Sequence, residues 1–509
     1  MPHEIELKLA LPEGAHRQFL RHPLLRQATR RQAYRLINLY YDTPALDLRR
    51  RGIALRLRAK GRLWLQTVKC AGAAAGGLSA RPEWEAPYAG HFDFSAIDDE
   101  PVRDWLDRPK LKTRIAPIFE TSFRRIAWTF EPVPGTCIEL ALDRGWIAAG
   151  GRREAISEVE LELLAGDPAQ LFALARTLAE RIPLAPAPLS KAERGYRLFK
   201  QVPAAPVKAA PIPLSPDDTP LAAFRTIALG CLDHLQQNHA GACGSADPEY
   251  IHQMRVATRR LRAALRLFGP LLPADFAAAL LPSLHELMLT LGRARDYDVL
   301  HTEIAAPVLR ALPDEPRLAA LIGIITERHF ALRQDALRLL RAPRYGDTVL
   351  QALATLHGLD AKLGAGEAAA RVAPLTLREF AADRLRRLRR KVLRLAAQAS
   401  VDDPSSLHAL RIGIKRLRYA LEFFAPLAGA KATQRLLGHL AGLQDTLGQI
   451  NDLANAGALL MDCAGSDPRL REAVTLIGGW HGPRHQALLA AVPAGLKHFG
   501  KLRLPGFKE

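Results

Sequence analysis

A chain of 509 residues is too long for a single core, and its 71 Lys+Arg against 52 Asp+Glu leave a formal charge of +19, a balance that attracts polyanions without fixing a fold. Five scattered cysteines (Cys70, Cys137, Cys231, Cys243 and Cys463), with no CxxC pair, exclude a disulfide framework or a structural zinc site and fit a reducing cytosol. Charges at Glu4, Glu6 and Lys8 exclude a signal peptide's apolar core, and no run reaches the roughly 18 apolar residues of a membrane span, so the sequence reads as soluble and cytoplasmic.

Up to about Lys200 the text has the grammar of strands. EIELK at 4–8, LINLYYDT, IALRLRAK, RLWLQTVK, PEWEAPY, RRIAWTF, CIELALD, RGWIAAG and EVELELL alternate apolar with polar residues between turn-rich pieces. Two segments, near 14–28 and 168–181, read as helices. A Pro/Ala stretch at 201–218 then reads as an extended linker. From Thr219 the period becomes helical almost without a break. The predicted architecture is α+β and multidomain: a strand domain over 1–200, a linker over 201–218, and an all-α domain over 219–500.

The strand half repeats one feature. Glu4, Glu6 and Lys8 share a face; so do Arg56 and Arg58, Glu83 and Glu85, Glu139 and Asp143, and Glu158, Glu160 and Glu162. One such face is ordinarily a solvated one. Several together place carboxylates and guanidinium groups on successive strands, which makes most sense when a metal ion and a polyanion lie between them. A triphosphate is such a polyanion, and its hydrolysis calls for cations to neutralise it and a metal to position water. No GxxxxGK[ST] loop is present, so a phosphate site here has to be built from strands. The histidines of this half (His3, His16, His22 and His91) read as surface residues.

ExExK at 4–8, YYDTP at 40–44, RGIALRLR at 51–58, QTVK at 66–69, FRR at 123–125, LALDRG at 140–145, EVELELL at 158–164 and SKAERGYRL at 190–198 together resemble a CYTH domain of the triphosphate tunnel metalloenzymes. The resemblance implies an eight-stranded antiparallel barrel closed into a tunnel, with charged faces inward. It implies that Glu4, Glu6, Glu160 and Glu162, with Glu158 as an alternative and Asp143 in the same network, hold Mg2+ or Mn2+. By the same carry-over Lys8, Arg56, Arg58, Lys69, Arg124 and Lys191 contact phosphates, and Glu4, Glu6 and Lys8 carry catalysis. Alternation alone does not choose between Arg124 and Arg125; motif position favours Arg124.

The helical half contains a duplication. IHQMRVATRRLRAALRLF at 251–268 matches LHALRIGIKRLRYALEFF at 407–424, an offset of 408 − 252 = 156 that recurs for Leu291 and Leu447, Asp296 and Asp452, and Phe224 and Phe380. The copies span about 219–345 and 375–500. On a helical wheel Arg255, Arg259, Arg262 and Arg266 fall within about 60° of one another beside His252, opposite an apolar face. The second copy repeats this stripe with His408, Arg411, Lys415 and Arg418, while Glu422 replaces Arg266. Arg260 and Arg416 lie to the side, in reach of acids on neighbouring helices. A further helix at 378–394 adds positive charge, and the whole fits an extended polyanion.

HxxR followed by a basic stripe in both copies, with LGxxxD at 291–296 and 447–452, resembles a CHAD domain, which commonly follows CYTH in bacterial proteins. That resemblance implies two pseudo-symmetric helical bundles binding inorganic polyphosphate along the basic surface, through His252, Arg255, Arg259, Arg260, Arg262, Arg266, His408, Arg411, Lys415, Arg416 and Arg418, with Asp296 and Asp452 orienting the arginines. The expected activity is hydrolysis of inorganic triphosphate or related short linear phosphates, with association to polyphosphate granules. The competing readings are cyclisation of ATP in the same tunnel and a non-catalytic polyphosphate scaffold. Nucleic acid fits less well, because aromatic residues do not interleave with the arginine stripes.

Overall fold

The computed structural model describes residues 3–61, 63–75, 77–359 and 376–506, and the chain divides into two units. The first comprises Met1–Pro206 with Arg341–Gly358, the second Val207–Leu340 with Leu359–Glu509. Among the described residues no helix is long and apolar enough to cross a membrane. The stretch 360–375, which includes the expected start of the second helical copy, lies outside the described residues.

The first unit is built on one antiparallel sheet: β1 (His3–Ala10), β2 (Arg30–Asp42), β3 (Ile53–Lys60), β4 (Leu63–Cys70), β5 (Ala73–Ala75), β6 (Leu78–Pro87), β7 (Ala116–Phe130), β8 (Cys137–Ala149), β9 (Arg152–Ala165) and β10 (Ala185–Pro186). The order β1-β9-β8-β7-β2-β3-β4-β6 returns to β1 through a β1–β6 pairing, so eight strands close a barrel and the short β5 and β10 flank it. Closure leaves no free edge and gives every long strand one inward and one outward face. The outward residues Leu140, Leu142, Val159 and Leu161 are at most 1% exposed, beside a helix α1 (Ala169–Ala179) that buries Leu171, Phe172, Ala175 and Leu178. His16 and His22, read as surface residues, are buried instead: the His16 Nε2 meets Ser157 Oγ at 2.7 Å, and His22 Nδ1 accepts from the Leu24 amide.

Two local devices fix the barrel mouth. Asp42 of the YYDTP motif is fully buried and accepts from the amides of Thr43, Leu48 and Arg49 and from Tyr196 Oη at 3.0 Å. Tyr196 belongs to helix α2 (Lys191–Phe199), which starts on a capping box between Ser190 and Glu193. Gly195 lets that helix lie against Phe119, since a Cβ there would stand 2.1 Å from the ring. This approach sends Lys191 into the barrel.

The second unit is helical: α3 (Pro220–Gly244), α4 (Glu249–Phe268), α5 (Ala274–Val299) and α6 (Pro316–Leu340), then α8 (Leu377–Gln398), α9 (Pro404–Phe424), α10 (Ala430–Ala464) and α11 (Pro468–Lys501); α7 (Pro343–His357), between the two sets in sequence, belongs to the first unit. The duplication is visible in its core. Phe224, Phe268 and their counterparts Phe380 and Phe424 form one cluster, with Phe268 centroids 5.5, 4.9 and 5.9 Å from the other three. The Pro/Ala stretch has no helix or strand before Pro220, yet it is anchored: Val207 bonds through its amide and carbonyl to Asn238, and Ile212 and Leu214 are buried.

The all-α domain expected over 219–500 includes the whole of α7, but this helix packs on α1 and β10 within the first unit. Phe172 stacks on His357 at 5.2 Å, Arg176 pairs with Asp347 at 2.8 Å, and a Cβ on Gly346 would stand 1.6 Å from the Leu184 carbonyl oxygen. Gly346→Ala therefore has to displace backbone. We expect a loss of about 1–3 kcal/mol, read as a lower melting temperature, whereas Gly323→Ala, on an open helix face, leaves melting unchanged or raises it.

Candidate functional site

The strand register decides which charges share the barrel interior. Glu4 stands opposite Arg81; Glu6 opposite Ser79 and Glu162; Lys8 opposite Glu160; Tyr40 opposite Arg56; Lys69 opposite Glu83; Arg125 opposite Asp143. All line or adjoin one cavity of about 300 Å³, whose walls are mostly charged. The predicted residues Glu4, Glu6, Lys8, Arg56, Arg58, Lys69, Glu160, Glu162 and Lys191 line it together. Asp143 and Glu158 lie just behind the wall, 0% and 3% exposed.

Arg124 does not belong to this set. It points outward and is exposed, while Arg125 is buried and donates to Asp143 at 2.8 and 2.7 Å and to Glu160. The physical reason is the period of two. Phe123 and Arg125 share the inner face of β7, and Asp143 on β8 faces that side. Sequence reasoning also missed Arg81, which donates to Glu4 at 3.1 Å and Glu6 at 2.6 Å, and left Glu83 and Glu85 without a role although both line the cavity. Arg81, Glu83 and Glu85 share parity, a signal that was present in the sequence.

Within the cavity nearly every charge is paired. Lys69 contacts Glu4 at 2.6 Å and Glu83 at 2.7 Å; Lys8 contacts Glu6; Arg56 contacts Glu83 at 3.2 Å. Lys191 bridges Asp143, Glu158 and Glu160 at 2.6, 2.5 and 3.0 Å. Burial opposes charge on Glu160, but Lys191, Arg125 and Lys8 hold its carboxyl well below the usual range; burial likewise opposes charge on Lys191, and its three carboxylates hold it protonated. Lys69 goes the other way, pulled down by burial and Arg56. Glu162 makes no ion pair among the described residues. Burial and the neighbouring Glu4 push it up to about 7.

That deficit bears on metal. The oxygens of Asp143, Glu158 and Glu160 lie within 4.8 Å of one another, so a buried acidic cluster able to hold a metal ion is present. Lys191 fills that cluster. Glu162 offers oxygen donors that no described cation pairs with, beside Glu4 and Glu6, and oxygen donors of this kind suit a divalent cation.

In the second unit α4 and α9 run their basic stripes into a shared groove, formed by adjoining cavities of about 620 and 790 Å³ that both touch Arg255, Arg259, His408, Arg411 and Lys415. Arg262, Arg266 and Arg416 line the first; His252, Arg260 and Arg418 line the second. Arg384, Arg387 and Lys391 of α8, from the helix 378–394 read from sequence as added positive charge, join the first, and Arg295 of α5, for which no role was read, joins the second. Asp296 holds Arg255 at 3.2 Å and Asp452 holds Arg411 at 3.7 Å. Arg260 spends its charge on Glu422, which also takes Arg418 at 2.8 Å. Burial, with Arg295 nearby, depresses His252 to about 4, and burial with Arg259 depresses Lys415 to about 7. His252 is thus neutral, and among the described residues its buried Nδ1 has no hydrogen-bond partner, while His408 Nδ1 meets Asn451 Oδ1 at 2.7 Å.

Comparison with known proteins matches these two sites to two families. The CYTH domain model matches residues 2–196 and the CHAD domain model residues 226–461. An inorganic triphosphatase of Haemophilus influenzae is 32% identical over 199 residues, 39% of this chain and 55% of that protein, so the chain spans about half the length of this curated relative. The crystal structure of the CHAD domain from the plant Ricinus communis is matched at 34% identity and a TM-score of 0.51, over 60% of this chain and 99% of that one. The chain therefore carries a CYTH domain, whose closed barrel encloses the charged cavity, followed by a CHAD domain, whose duplicated helices form the basic groove.

Proposed function

We propose that the barrel hydrolyses inorganic triphosphate or related short linear phosphates with the help of Mg2+ or Mn2+, and that the helical unit binds inorganic polyphosphate. The observation that carries the first reading is the register: seven cations (Lys8, Arg56, Arg58, Lys69, Arg81, Arg125 and Lys191) converge with Glu4, Glu6, Glu160 and Glu162 on one cavity. The cations bind phosphate oxygens, the guanidinium groups in bidentate fashion. Glu4, Glu6 and Glu162, with Glu160, would hold the metal, which would supply charge neutralisation and acidify water. A wall so rich in charge offers no broad apolar face for a nucleobase, which favours an inorganic substrate over ATP cyclisation.

The resting pairs set the order of events. Lys69 and Arg81 occupy Glu4, and Lys8 and Arg81 occupy Glu6, so the same ammonium and guanidinium groups would be available to phosphate were these carboxylates to hold a metal. Substrate and metal should bind more tightly together than apart. Burial opposes charge on Lys8, but Glu6 and Glu160 hold it protonated, which suits it to stabilise the leaving oxygen rather than to act as a base.

A phosphate-release assay tests this reading. Glu4→Gln with Glu6→Gln abolishes release from tripolyphosphate and leaves polyphosphate binding intact. Arg125→Ala lowers kcat/KM by about 100-fold or more, and Arg124→Ala stays within about twofold of wild type. Equal effects of the two arginine variants contradict the site as drawn.

Metal binding should also release protons. With Glu162 near 7 in the metal-free protein, Mg2+ uptake at pH 7 displaces about half a proton per ion and strengthens as pH rises through 7. Calorimetry in buffers of different ionisation enthalpy measures it. Glu162→Gln removes the release.

For the groove the sign is opposite. Lys415 is about half charged at pH 7 and gains its proton as pH falls, so polyphosphate affinity should climb between pH 8 and pH 6. Lys415→Ala flattens that rise, measured by polarisation of labelled polyphosphate. An equally steep profile in the variant refutes the assignment.

A further inference from the structure

Arg124, turned away from the cavity, has outer-face neighbours of its own kind. In the register it stands opposite Arg35 of β2 on one side and Arg144 of β8 on the other, so three exposed arginines form one row across adjacent strands. Strands lie about 4.8 Å apart, and the row crosses about 10 Å. Like charges directly opposite destabilise a sheet. Among the described residues none of the three makes an ion pair, and Arg35 reaches only Ser122 Oγ at 3.2 Å. The row runs on to Ser157 of β9, whose hydroxyl meets His16 Nε2 at 2.7 Å, so the next position along it is a neutral hydroxyl and not a carboxylate.

We propose that Arg35, Arg124 and Arg144 form an anion strip on the outside of the barrel that takes a linear inorganic phosphate chain lying across the strands. Spacing selects this ligand. A phosphoanhydride chain carries charge on every unit without interruption, so each guanidinium finds an oxygen wherever the chain lies. An acidic peptide in extended form presents same-face carboxylates only every ~6.8 Å, out of step with the row, and a phosphodiester strand puts a sugar between successive charges. The strip is separate from the tunnel and from the helical groove, and its reading does not depend on turnover.

The test uses the full chain with the helical groove neutralised by Arg259→Ala, Arg262→Ala, Arg266→Ala, Arg384→Ala, Lys391→Ala, Arg411→Ala and Lys415→Ala. Labelled long-chain polyphosphate is titrated over a range of NaCl concentrations. Residual binding is expected, and adding Arg35→Ala, Arg124→Ala and Arg144→Ala should weaken it at least tenfold and reduce the log–log salt slope by about two to three. The corresponding triple Lys variant should retain most of the binding, and tripolyphosphate hydrolysis should be unchanged in both. The proposal is overturned by no residual binding in the groove-neutralised protein, by residual binding that ignores the triple Ala change, or by tighter binding of single-stranded RNA or polyglutamate than of polyphosphate at the same salt. Loss of hydrolysis in an Arg124 variant would instead count against the tunnel assignment.

Discussion

Closing the sheet through β1 and β6 deprives the inner side chains of bulk water, and everything else about the first unit follows from that constraint. A carboxylate that would be solvated on an open sheet must here find a cation, and each cation a carboxylate. The pairs Lys69 with Glu4, Lys191 with Asp143 and Arg125 with Glu160 are that forced neutralisation. Such buried pairs add little net stability, yet removing one partner costs about 3–5 kcal/mol because it strands the other. Stability comes from the opposite face, where Val159, Leu161, Leu140 and Leu142 are buried under apolar cover. Function and cohesion thus occupy alternate residues of the same strands.

The interior is not electrically uniform along its length. At one end Asp143, Glu158 and Glu160 are answered by Lys191, Arg125 and Arg194. These three oxygens are close enough for a metal, but an ion there has to evict an ammonium held by three short contacts. At the other end Glu162 makes no ion pair among the described residues, and burial together with the neighbouring Glu4 pushes it up to about 7. The tightest acidic cluster is therefore the less receptive one, and the charge deficit is a better guide to a divalent cation than oxygen spacing alone.

Much of this was legible in the sequence because a strand has a period of two. Once Glu4 faces inward, Glu6 and Lys8 follow, and the same holds for Arg56 with Arg58 and for the late glutamates. Parity cannot say which of two adjacent arginines belongs inside. That choice needed the register of β7 on β8, where Asp143 meets Arg125. Arg81 escaped notice although it shares parity with Glu83. In the helical half the stripes on α4 and α9 were legible and so was the positive charge of α8, but not which of its residues face the groove, since α8 carries arginine on most sides and a periodic signal is lost there. Helix α7 shows a different limit: periodicity finds an apolar face but not the surface that will cover it, here α1 rather than a neighbouring helix of the second unit.

The duplicated helices are symmetric in packing and asymmetric in charge. Phe224 and Phe268 meet their counterparts Phe380 and Phe424 in one aromatic cluster, so the apolar side of the repeat has kept its residues. On the polar side, position 266 + 156 = 422 exchanges Arg266 for Glu422. That single acid ties down Arg260 of the first copy and Arg418 of the second, and Arg260 lies over the rings of Phe423 and Tyr419. It converts two would-be anion ligands into a clasp between the copies. The free positive charge is thereby shifted toward Arg262, Arg266, Arg384 and Lys391, where no carboxylate lines the cavity. A polyanion crossing this groove meets a graded field, weaker beside Glu422 and stronger beside Arg266, and a gradient of that kind gives a chemically symmetric chain a preferred place to sit.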